Sequence, residues 1–175
     1  MKKLLFFIIV AGISSSCATV KNNVDYETVQ DGDSKILKGT ITRSLLQNDP
    51  AYSWFTENMK YGIADSTAVQ AFKNNAGNFN MIVFMGTWCE DSKNLLPVFY
   101  RLVDKSDYPD SRITLVGVDR AKTAPKNLHT KYKITNVPTF IVIRNGKEIG
   151  RVVEYGKTGL IDKELGGIVA STMGK

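Results

Sequence analysis

Between residues 79 and 97 the hydrophobic period of the chain changes abruptly, and that change narrows the folds open to it more than any other feature. Residues 79–85 are an apolar run with Ile82, Val83 and Phe84 at its centre, the composition of a buried strand. Gly86 and Thr87 then turn the chain into Trp88-Cys89-Glu90-Asp91-Ser92. Beyond them Leu95, Leu96, Phe99, Leu102 and Val103 fall on one face of a helix. Cys89 therefore stands where a strand hands over to a helix. The unpaired N–H groups and the positive end of the helix dipole favour an anion there, so the sulfur is biased toward the thiolate that attacks.

This order of strand, Trp-Cys-x-x and helix resembles the thioredoxin superfamily. Pro97 stands where thioredoxins kink this helix, and Val137-Pro138-Thr139 stands where they carry a cis-proline loop. Asn145-Gly146 matches their hairpin turn, and Gly156 precedes a last amphipathic helix as in the family. The resemblance covers about residues 66–172 and rests on a combination of motifs rather than on one cysteine. Two positions depart from it. Thioredoxins have a second cysteine where this chain has Ser92, and a buried carboxylate where it has Val83.

The amino-terminal residues read differently. Lys2 and Lys3 precede an apolar block over residues 4–13, followed by Ser14, Ser15, Ser16 and Cys17, the order of an export signal. The block is short for a bilayer span. Small residues ending in a cysteine resemble the lipobox of bacterial lipoproteins, which implies diacylation of Cys17 and a domain held at the cell envelope, facing the periplasm or the exterior. An ordinary signal peptide is the alternative. With Cys17 acylated, Cys89 has no partner in its own chain.

The expected organisation is a signal peptide over 1–17, a polar flexible tether over 18–35, a helical extension over 36–65, and a thioredoxin-like domain over 66–175. In the extension, Asp49-Pro50 is an N-cap followed by proline at the first helical place, with Tyr52, Trp54, Phe55 and Met59 in the helix that follows. Asp65 or Ser66 caps the next helix, and Gly77 lies past its end. Residues 113–118 read as a second buried strand, parallel to 79–85 and joined to it by a right-handed crossover. Residues 139–143 and 148–153 flank the Asn145-Gly146 turn. The last helix carries Leu160, Ile161, Leu165, Ile168 and Val169, with Thr158 as a candidate cap. The fold class is thus α/β and thioredoxin-like, with a mixed four- or five-stranded sheet, helices on both faces and an amino-terminal helical extension.

Composition removes several function classes. The chain of 175 residues is 43% apolar, enough for one domain with a core, and its net charge of +6 comes from scattered Lys and Arg with no basic run interleaved with aromatics. That is a solvated basic surface rather than a nucleic-acid face. His129 is the single histidine, so no metal-ligand set can be assembled, and phosphate-cradling glycine loops are absent. No cofactor is implied, and the oligomeric state stays open.

What the resemblance implies for the site follows residue by residue. Cys89 is the attacking sulfur, Pro138 with Val137 forms the loop that lies against it and pairs with an extended substrate peptide, and Asp119 resembles the aspartate that bonds the active-site tryptophan, here Trp88. Ser92 cannot release a mixed disulfide as a second cysteine does, but can donate a hydrogen bond to the Cys89 thiolate. Glu90 and Asp91 suit the helix dipole yet disfavour the neighbouring anion. Partners would be protein thiols or disulfides and an external reducing thiol. Three readings follow: a monothiol oxidoreductase or isomerase working through mixed disulfides, a catalytically inactive peptide- or protein-binding module, and a one-cysteine peroxidase in which Thr87 holds peroxide, a pattern that Gly86-Thr87-Trp88-Cys89 matches poorly.

Overall fold

The computed structural model describes residues 25–32 and 34–171; the expected export signal and the acylation of Cys17 lie outside them. Among the described residues six strands form one mixed sheet. They are β1 (Asp25–Asp31), β2 (Ser34–Ile41), β3 (Asn80–Met85), β4 (Ile113–Gly117), β5 (Thr139–Arg144) and β6 (Lys147–Val153), in the spatial order β1-β2-β4-β3-β5-β6. The helices are α1 (Arg43–Asn48), α2 (Ser53–Asn58), α3 (Ser66–Asn75), α4 (Glu90–Lys105), α5 (Leu128–Lys131) and α6 (Ile161–Ser171). Among the described residues no helix is long and apolar enough to cross a membrane.

β3 lies at the centre, parallel to β4 with Val83 opposite Leu115, and antiparallel to β5 with Val83 opposite Phe140. The parallel pair needs a crossover, and α4 supplies it. Alternation along these strands sorts their side chains to two faces. Met81, Val83, Met85, Leu115, Phe140 and Val142 enter the larger core with Phe72, Leu96, Phe99 and Leu165 of the helices. Phe84, Val116 and Ile141 point the other way, into a smaller cluster with Val118 and Val137 that Trp88 and Cys89 partly cover. The site therefore grows from the more thinly covered face.

Local chemistry sets the element ends. Asp49 accepts from the Ala51 N–H at 3.0 Å with Pro50 at the first helical place, and Asp65 accepts from the Ala68 N–H at 2.9 Å. Asn145 and Gly146 both have positive φ, 49° and 73°, the turn that joins β5 to β6 without splaying them. Gly156, φ 67°, leaves room for the Glu164 carboxylate, which accepts from the Lys157 and Thr158 N–H groups. Thr158 takes part in that brace, and α6 itself begins at Ile161.

The amino-terminal part differs from its expectation. Residues 25–41, expected as the end of a flexible tether and the start of a helical extension, form a β-hairpin, and β2 pairs antiparallel with β4 through Gly39–Gly117, Thr40–Val116 and Ile41–Leu115. This raises the sheet from the expected four or five strands to six. Ile36, Leu37 and Ile41 are buried, which anchors β2, while β1 is exposed along most of its length. The helical part of the extension is confined to the short helices between Arg43 and Asn58. Arg43 clamps it to α4 through two hydrogen bonds to Asp104, 2.5 and 2.7 Å, and lies 4.7 Å from the centre of the Tyr100 ring.

Candidate functional site

Cys89 is the N-cap of α4: its backbone is extended, φ −92° and ψ 122°, and its carbonyl accepts the first helical hydrogen bond, from the Lys93 N–H at 3.0 Å. Its side chain caps nothing, and the sulfur is half-buried. Sγ lies 3.3 Å from the Val137 carbonyl oxygen and donates to it as a thiol. The Val137–Pro138 peptide bond is cis. That loop is braced from the residue just past β6: Glu154 donates its N–H to the Pro138 carbonyl at 2.7 Å, and its carboxylate accepts from the Asn136 amide at 2.9 Å. The strand-helix junction and the proline loop, forty-eight residues apart in sequence, thus meet at one sulfur.

Ser92 is bonded to a partner other than Cys89. It is fully buried, and its Oγ accepts the Gly86 N–H at 3.1 Å. Ser92 therefore secures the turn between strand and helix; a hydrogen bond to the thiolate, expected above, is not formed. Thr87 is likewise occupied, its hydroxyl donating to the Lys35 carbonyl at 3.2 Å and accepting from the Leu37 N–H at 3.3 Å. It serves as a ladder partner for β2, which leaves the peroxide-holding role without its hydroxyl. Glu90 pairs with Lys93 at 2.5 Å. His129 accepts the Ala124 N–H on Nδ1 at 3.0 Å and belongs to its own turn.

Asp119 does not bond the Trp88 indole. Nε1 of Trp88 donates to the Val118 carbonyl at 2.9 Å, whereas the Asp119 carboxylate takes Lys38 at 2.9 Å and both the hydroxyl and the N–H of Thr123. Burial alone would raise its pKa, but the hydrogen bonds from Lys38 and Thr123 outweigh it and hold the carboxyl at about 2. A carboxyl depressed on folding stabilises the native state above its unfolded pKa and loses that contribution as pH falls through the folded value. Acid titration should therefore show stability lost between about pH 4 and pH 2, on the order of 1–2 kcal/mol, and Asp119→Asn should flatten that segment. An unchanged slope in urea-midpoint measurements across that window would contradict it.

Sequence reasoning missed Arg120, Lys38 and the Asn136–Glu154 brace, and gave Thr87 a different role. Each works through a partner far along the chain, and no local pattern marks them. Among the described residues no group of three or more His, Cys, Asp or Glu side chains is gathered to hold a metal ion.

Residues 64–165 match the family model described as Thioredoxin. A thioredoxin H-type from Oryza sativa subsp. indica is 32% identical over 99 residues, which cover 55% of this chain and 76% of that protein. The TPR repeat-containing thioredoxin TDX of Arabidopsis thaliana is 31% identical over 88 residues, 50% of this chain but 22% of the longer protein. Among solved structures, a Pseudomonas aeruginosa protein of unknown function aligns with a TM-score of 0.52 at 13% identity, over 76% of this chain and 90% of that one, a likeness of fold alone. The chain belongs to the thioredoxin family, and its fold is the thioredoxin-like α/β fold expected from the motifs. The family acts on protein thiols and disulfides.

Proposed function

We propose that the protein is an exported, membrane-anchored thioredoxin-like protein that exchanges disulfides through Cys89 alone. The observation that carries this reading is the position of the Cys89 sulfur, half-buried at the start of α4 and 3.3 Å from the carbonyl of Val137 in the cis-proline loop. A sulfur so placed is reachable by a partner while its proton has an acceptor. In the first step the Cys89 thiolate attacks a partner disulfide; a Cys89–partner disulfide forms, the partner's own S–S bond breaks, and its second sulfur leaves as a thiolate. In the second, an external thiol attacks the mixed disulfide, takes over the partner sulfur and returns Cys89 to the reduced form. Ser92 has no sulfur to perform that release, and the fully buried Val83 offers no proton acceptor to one. Lys2, Lys3, the apolar block and the Ser-rich approach to Cys17 support export and acylation at Cys17, and with them a place at the cell envelope.

The test uses the reduced full chain with Cys17→Ser, so that one thiol remains. Incubation with a peptide disulfide should yield one covalent adduct, located at Cys89 by mass spectrometry, and Cys89→Ser should lose it entirely. If the single-thiol protein forms no adduct, yet pulls down the same protein partners whether Cys89 is present or replaced by alanine, the molecule is a binding module and the exchange chemistry is wrong.

A further inference from the structure

The indole beside Cys89 is held from two residues of the β4 exit, Val118 and Arg120, with Asp119 between them tied elsewhere. Val118 accepts its N–H at 2.9 Å, Asp119 is tied to β2 through Lys38, and Arg120 places its guanidinium 5.4 Å from the centre of the Trp88 ring. Gly86 closes the remaining space, since a Cβ there would stand 2.7 Å from Cε2 of the indole. Arg120 is in turn bonded through Nε to the carboxylate of Asp31, the last residue of β1. Asp31, Glu27 and Asp25 share one face of that strand by alternation, and each meets a cation: Arg120, Lys38 and Lys126. Besides the β2 backbone bonds to Thr87, the hairpin thus reaches the indole itself through the Asp31–Arg120–Trp88 stack.

An exposed ion pair contributes little to stability, and Arg120 and Asp31 are both about half exposed. What such a pair can do is select one arrangement of a side chain that has several. Arginine suits this because its planar fork binds a carboxylate with one edge and lies over an aromatic face with the other. We propose that Arg120 is a positioning residue for Trp88, held over the indole by Asp31 of the β1–β2 hairpin, so that the hairpin sets the wall of the site beside Cys89. The contact itself is independent of the redox reading; its effect on partner capture rests on that reading.

The test is hydrogen exchange of the Trp88 indole N–H in the full chain, its NMR resonance assigned by its loss in Trp88→Phe. Arg120→Ala should speed that exchange about two- to fivefold, the size of an exposed cation–π contact. Asp31→Asn should act in the same direction, and Lys126→Ala, which breaks the Asp25 pair on the same hairpin, should leave the exchange as in the parent. Equal exchange in Arg120→Ala and the parent overturns the proposal. So does an equal acceleration by Lys126→Ala, which would assign the effect to hairpin docking at large. In the same variants, capture of a peptide disulfide by Cys89 should slow about two- to fivefold while alkylation by a small neutral reagent keeps its rate. A parent protein that captures nothing refutes the redox reading alone, because the exchange measurement still decides the role of Arg120.

Discussion

Replacing Ser92 by cysteine is expected to turn a protein that holds its disulfide-linked partners into one that lets them go. On the proposed mechanism, the Cys89–partner disulfide of the parent waits for an outside thiol. In Ser92→Cys a second sulfur sits one helical turn away; it attacks Cys89, an internal disulfide forms, and the partner leaves as a thiol. Intramolecular attack by a well-placed group should shorten the adduct lifetime by about a hundredfold or more at micromolar external thiol. The change has a structural cost, because the Ser92 hydroxyl is the acceptor for the buried Gly86 N–H and sulfur accepts poorly. A loss of about 1 kcal/mol in stability should accompany the gain in release. The lifetime is read by following the purified adduct on non-reducing gels. Equal lifetimes in the two proteins would mean that position 92 cannot reach the sulfur, and that the missing cysteine is not what limits release.

The largest loss of stability is expected from Phe99→Ala. Phe99 is fully buried on the inner face of α4, with its ring 5.3 Å from Phe140 of β5 and 5.2 Å from Tyr100. It joins the helix that presents Cys89 to the strand that follows Pro138. Truncation removes transfer energy and leaves a cavity that the sheet on one side and α4 on the other cannot close, about 3–5 kcal/mol in all. The urea midpoint should fall with little change in its slope. A loss below about 1 kcal/mol would show that the core collapses around the gap, contrary to the close packing on both sides of this ring.

Where the signals are local, the sequence spoke clearly. The switch from a strand period to a helix period around Cys89, the Asp49-Pro50 and Asp65 caps and the Asn145-Gly146 turn each depend on neighbours within a few residues, and each is where the pattern put it. The β1–β2 hairpin was hidden because its outer strand buries almost nothing: Asp25, Glu27 and Asp31 read as solvated charge until Lys126, Lys38 and Arg120 are brought to them. In β2 the adjacent buried pair Ile36 and Leu37 breaks strict alternation, which blurs the strand pattern. The same limit applied at the site. Residue type showed that Ser92 carries a hydroxyl and Asp119 a carboxylate, but the direction of each is set by Gly86 on one hand and by Lys38 on the other. Only the fold decides those directions.

The early start of β1 also shortens the leash on which this domain would operate. Eight peptide units separate Cys17 from Asp25, so an anchor at Cys17 leaves the first strand a reach of at most about 29 Å when the chain is drawn straight. Had ordered structure begun only at residue 36, that radius would have been more than twice as large. If the proposed anchor at Cys17 holds, a domain tied so near its point of attachment would sample a thin layer of space, and its clients would have to arrive there, in or beside the same surface, rather than be sought out across the compartment.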